Sequence, residues 1–111
     1  MWYLCFRKRK AVQPQGPRSV DLDVHLAWMK RQHDAGVVLF SGPSVKRGLG
    51  IYVIRAASED EAARVAQDDP FTRDGQCEFE LIEWDVRQAL GIGPFTSAAI
   101  QTQTAQAPLH V

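Results

Sequence analysis

Residues 2–7 read WYLCFR, and this hexapeptide restricts the fold more than any other stretch of the chain. Its aromatic and large apolar side chains suit a pleated surface, so it is a strand. Alternation sends Trp2, Leu4 and Phe6 to one side and Tyr3, Cys5 and Arg7 to the other. Both sides are largely apolar. A sheet built around this strand needs cover on both faces, because a large bare apolar patch is rare on a soluble monomer.

The other elements follow in a clear order. KRKAVQPQGPRS, with Pro14, Gly16 and Pro17, is a loop. Its length is unusual in a small domain, and such loops often cover a site. Ser19 or Asp21 caps a helix that runs to about Asp34 and is stopped by Gly36. VVLFSGP (37–43) is a second strand closed by Gly-Pro, and LGIYVIRA (49–56) is a third. Ser58 and Glu61 form a capping box at the head of a second helix over 59–68. Pro70 ends that helix by forcing Asp69 out of helical geometry. CEFELIEWD (77–85) alternates Cys77, Phe79 and Leu81 against polar positions and makes the fourth strand.

The order β-α-β-β-α-β is the ferredoxin-like plan of an α+β protein. Right-handed crossovers place both helices on one face of a four-stranded antiparallel sheet. The opposite face is then the bare one, and its simplest cover is a second copy, in an isologous homodimer. Residues 1–90 form this domain. Residues 91–111, rich in Gln, Thr and Ala, bury little surface alone and read as a flexible tail or an arm that docks on the partner chain.

Composition narrows function by exclusion. The 111 residues are 45% apolar, enough for one core, and 13 basic side chains balance 13 acidic ones. No global field favours nucleic acid or an anionic membrane as a partner. The run Arg7-Lys8-Arg9-Lys10 reads as a solvated strand end. With no membrane-spanning stretch and no leader pattern, a soluble cytoplasmic protein is expected. Cys5 and Cys77 lack CxxC spacing and read as buried structural thiols. His25, His33 and His110 form no ligand cluster with them, so no metal is expected. No nucleophile elbow or cofactor fingerprint is present, so no cofactor is expected.

The first helix holds the feature that invites chemistry. Asp23, Lys30, Arg31 and Asp34 share a polar arc, while Leu22, Val24, Leu26, Trp28 and Met29 fill a broad apolar one. His25 falls near the middle of the apolar arc. It is either a core histidine with its nitrogens satisfied internally, or an imidazole aimed into a pocket.

Three pieces of sequence sharpen that choice. They are HLAWMKRQHDAGVVLFSGP, IYVIRAASEDEAARVAQDDPF and the strand ending IEWD. In this order and spacing they resemble the YciI-like (YCII-related) family over about residues 1–86. The resemblance implies a dimeric α+β barrel in which the helix-one histidine and the aspartate of the Asp-Pro step meet in a pocket. Here those are His25 and Asp69, with Asp68 a local competitor for the second role. Some members of that family eliminate hydrogen chloride from chlorinated aromatic rings. The proline-rich first loop and the tail beyond Arg87 depart from the family, so pocket shape and substrate do not carry over.

The expectation is a small cofactor-independent enzyme, a lyase (dehydrochlorinase-like) or isomerase, acting on a small cyclic or aromatic compound. His25 is the acid/base and Asp69 orients it. The alternative is a non-catalytic dimer that binds or presents a small molecule in the same pocket; a third reading is a purely structural dimer. Candidate substrate-binding residues are Ser41 and Gly42 at the strand end, otherwise a plain turn. Arg18 is another, able to attract an anion, otherwise solvated. Trp28 is the last, as a pocket wall, otherwise core or interface like Trp84. His33 reads as a surface or interface residue.

Overall fold

Strand β1 (Trp2–Arg9) lies inside an antiparallel sheet between β3 (Leu49–Arg55) and β4 (Cys77–Trp84), with β2 (Val38–Pro43) on the far side of β3. The computed structural model describes residues 1–18 and 20–104. Along the chain come α1 (Leu22–Asp34), β2 (Val38–Pro43), β3 (Leu49–Arg55), α2 (Glu59–Asp68), α3 (Pro70–Arg73), β4 (Cys77–Trp84) and α4 (Ser97–Thr104). The α+β class, the βαββαβ order and the four-stranded antiparallel sheet are as the sequence implies.

Register decides which side chains meet. Tyr3 lies opposite Ile54 and Cys5 opposite Tyr52, and these rows face α1 and α2. Trp28 and Met29 from α1 and Ala62 and Ala66 from α2 pack onto them, with Val38, Phe79 and Leu81 at the edges. The opposite face carries Leu4, Phe6, Ile51, Ile82 and Trp84, and Ile82 and Trp84 are nearly half exposed, at 45% and 46%.

The helix ends obey local chemistry. Asp21 caps α1 by accepting from the Val24 amide, while Ser19, the other proposed cap, lies outside the described residues. Gly36, at φ 72°, takes the left-handed turn that closes α1. Ser58 accepts from the Glu61 amide and Glu61 reaches back to the Ala57 amide, so the capping box forms one residue wider than the ideal.

Several local readings change. Pro70 ends α2 but also starts α3, the favoured first-turn position for proline. The apolar arc of α1 is narrower than its composition suggests: His25, Trp28 and Met29 are buried, while Leu22, Val24 and Leu26 are exposed. A helix on a sheet buries one i, i+3, i+4 stripe, and the wider arc finds no partner. The C-terminal segment contains a helix, α4, that its composition did not suggest, preceded by a small bridge between Ala89 and Ile92. His110 and the end of the tail lie outside the described residues.

Candidate active site

Asp69 is fully buried at the junction of α2 and α3, and four donors converge on its carboxylate. Oδ1 accepts from His25 Nδ1 at 3.1 Å and from the Phe71 amide at 3.1 Å. Oδ2 accepts from Arg7 Nη1 at 3.0 Å and from the Tyr52 hydroxyl at 3.3 Å. The backbone explains the placement. Proline at 70 pushes Asp69 to φ −52° and ψ 124°, which turns its side chain over the first amide of α3 and into the core.

Electrostatics keep this carboxyl ionised. Burial alone pushes its pKa up. The hydrogen bond from His25 and the charge and hydrogen bond of Arg7 outweigh that, and the net position is below the ordinary carboxylate value. An ionised carboxylate only accepts hydrogen bonds, so His25 Nδ1 carries a proton. In the neutral ring the lone pair is therefore on Nε2. Tyr52, raised first by burial and then by Cys5 and Asp69, stays a phenol and donates.

Arg7 approaches the face of the His25 ring rather than one edge of it. Arg7 Nη1 is 3.2 Å from Nδ1 and 3.1 Å from Nε2 of the same ring. An in-plane approach to both would drive it into Cε1, so it lies over the ring. Phe71 stacks on His25 at 5.2 Å between centroids, and the Arg7 guanidinium carbon is 5.2 Å from the Phe71 centroid.

A cavity of about 320 Å³ opens beside this cluster, lined among others by Arg7, Arg9, Phe71, Gln76 and Cys77. His25 and Asp69 do not line it. His25 is 7% exposed, and Arg7 and Phe71 form the layer it touches that also faces the open space. The long first loop runs alongside, held by Gln13 on the Gln76 carbonyl and by Gln76 on the Val20 carbonyl.

The remaining candidates lie elsewhere. Asp68 accepts from the Trp28 indole at 3.1 Å and from Arg73 at 3.0 Å, so of the two neighbouring aspartates Asp69 meets His25. Trp28 is core, packed edge-on against Tyr52 at 6.2 Å. Arg18 is exposed and donates to Gln13 at 2.6 Å. Ser41 is exposed and pairs with His33 at 2.8 Å, and neither it nor Gly42 lines the cavity, whose β2 side is Pro43 and Ser44. Cys5 is buried with its thiol pushed up to about 11 by burial, and Cys77 is raised by the same cause. No group of three or more His, Cys, Asp or Glu among the described residues is placed to hold a metal ion.

Arg7 corrects the sequence reading. The basic run was expected to be solvated, and Lys8, Arg9 and Lys10 are exposed. Arg7 is not: its side chain is 16% exposed and inside the cluster. The signal was present in the alternation, since Arg7 continues the row of Tyr3 and Cys5 that faces the helices.

The chain is thus a small α+β protein with a buried, hydrogen-bonded Asp-His-Arg cluster at one end of a ferredoxin-like sheet, under the helix layer. A YCII-related domain matches residues 1–85, and the chain belongs to that family. Among solved structures it is similar to the 5-chloro-2-hydroxyhydroquinone dehydrochlorinase TftG of Burkholderia phenoliruptrix AC1100, in complex with 2,5-dihydroxybenzoquinone. That match has 24% identity and a TM-score of 0.56, and covers 76% of this chain and 93% of the other. It establishes the fold. A search of curated proteins finds no match. Among the described residues no helix is long and apolar enough to cross a membrane.

Proposed function

We propose that this protein is a cytoplasmic, cofactor-independent lyase or isomerase that acts on a small cyclic or aromatic compound, with His25 as the proton-transfer group and Asp69 as its orienting partner. The observation that carries the reading is the Asp69 carboxylate with all its acceptor positions used, one of them on His25 Nδ1. That arrangement leaves Nε2 as the basic nitrogen and places a negative charge where an imidazolium would form. In an elimination, Nε2 takes a proton from carbon. The C–H electrons form the new double bond, and the leaving group on the neighbouring carbon departs with its electron pair. The fold shared with a dehydrochlorinase supports this class of reaction. Substrate reaches the ring from the cavity past Arg7 and Phe71.

The functional unit is a homodimer in this proposal, the bare sheet face of one copy against that of another. A YciI-like dimeric barrel would cover Ile82 and Trp84, which the single chain leaves exposed.

One observation favours the second reading, a pocket that binds without turning over: His25 is 7% exposed and does not line the cavity. His25→Asn separates the two. The enzymatic reading expects hydroxylated and chlorinated hydroquinones to be converted by the wild type and at least 100-fold more slowly by the variant, with the fold intact. A wild type that binds these compounds without converting any, or a variant that converts them at the wild-type rate, rejects it.

A further inference from the structure

Arg7 does more than balance Asp69. One nitrogen of its guanidinium faces Asp69 and His25; the other two lie across β3 over Gly50, its antiparallel partner. A Cβ at position 50 would stand 2.8 Å from Arg7 Nη2, 2.9 Å from Cζ and 3.2 Å from Nε. Gly50 does not have a left-handed backbone, so glycine is not needed there for conformation. Its missing side chain is the space in which Arg7 lies.

The cavity beside it has one-sided charge. Arg7 and Arg9 line it, with Ser44, Gln76 and Cys77 as the polar neutral groups and Phe71 as the aromatic wall. No carboxylate among the described residues lines it. Asp69 is sealed behind Arg7 with its acceptor positions filled, and no ion pair among the described residues holds Arg9. An arginine fork next to a second cation, at the mouth of a cavity of about 320 Å³, is suited to a small planar anion.

We propose that the cavity binds a ring compound through an anionic oxygen, a carboxylate or an ionised phenol. The oxygen is held by Arg7 and Arg9, the ring lies beside Phe71, and Gly50 is the position that allows Arg7 to be there. This rests on the reading of the His25 cluster as a ligand site and gives that site its substrate class. Ion pairing anchors the ring at the edge of the layer that separates the cavity from His25.

The test compares 4-hydroxybenzoate with its neutral isostere 4-hydroxybenzamide, by calorimetric titration of the full chain at low and high salt. The carboxylate binds about tenfold more tightly than the amide, the size of one charge-assisted hydrogen bond, and its advantage shrinks with salt. Gly50→Val keeps every charge and suits a strand, yet displaces Arg7, and it lowers carboxylate affinity more than amide affinity so that the advantage is lost. Arg9→Gln lowers carboxylate affinity about threefold and serves as the second variant if Gly50→Val unfolds. Equal affinity for the two compounds, no binding of either, or an undiminished preference in both variants overturns the proposal. His25→Asn separates the outcomes. Loss of turnover in the variant with the carboxylate preference retained supports both readings, whereas a wild type that shows no carboxylate preference but whose turnover is lost in His25→Asn removes the anion site and leaves the His25 chemistry standing.

Discussion

The covered and bare faces of the sheet start from the same strand and end differently. On the covered face, β1 presents Tyr3 and Cys5 and then changes character at Arg7, where the row meets Asp69 and His25. On the bare face the row is Trp2, Leu4 and Phe6, apolar until Lys8. The helix layer makes the difference. Under it, water is excluded, so a charged group survives only when its partners are built in, and Asp69 has four. On the other face Trp2 and Val53 are buried, and what remains unsatisfied is the apolar area of Ile82 and Trp84. One face is specified by hydrogen bonds, the other by what covers it.

The largest break in that comparison comes from Asp69→Ala. It leaves Arg7 uncompensated under the helices and takes the acceptor from Tyr52, His25 and the Phe71 amide. A loss of about 3–5 kcal/mol in urea-unfolding free energy is expected, the usual cost of removing one side of a buried ion pair. A loss below about 1 kcal/mol, the level of an exposed pair, contradicts the burial argument. Ile82→Glu probes the other face. At this exposed position the stability of the single chain changes by only about 0.5 kcal/mol. Sedimentation velocity is expected to show a dimer in the wild type and a monomer in the variant. A wild type that is monomeric at all concentrations rejects the homodimer.

Acid sharpens the contrast more gently. The folded-state pKa of Asp69 is depressed from its ordinary 3.8, so its contribution to stability is fully present above that value and is lost as pH falls through the folded pKa. Wild-type stability is expected to fall more steeply below about pH 4 than that of Asp69→Asn, which has no carboxyl to protonate. Parallel pH curves for the two proteins contradict the assignment.

Strand phase, helix caps and the Asp-Pro step were legible in the residues, because each is a local rule acting on neighbours in the chain. They suffice for the element order, whereas the meeting of His25 and Asp69 was implied by the family resemblance and by no local rule. Arg7, Tyr52 and Phe71 were harder. Tyr52 reads as one more aromatic strand residue, and only the register with Cys5 and the position of Asp69 turn its hydroxyl into a donor. Arg7 was hidden in a basic run, and its inward course depends on a glycine 43 positions away that only strand pairing brings opposite. Ser41 and Gly42 looked site-like because they end a strand, but the cavity begins one residue later, at Pro43 and Ser44. Helix α4 has neither a strong apolar stripe nor a charge pattern, so no periodicity announced it.

The protonation of the His25 ring tests the central claim most directly. In two-bond proton–nitrogen NMR spectra of the neutral ring, His25 is expected to show a protonated Nδ1 and an unprotonated Nε2, and Asp69→Asn is expected to alter that pattern. A proton on Nε2 in the wild type, or a spectrum that Asp69→Asn leaves untouched, would mean that the carboxylate does not orient the imidazole.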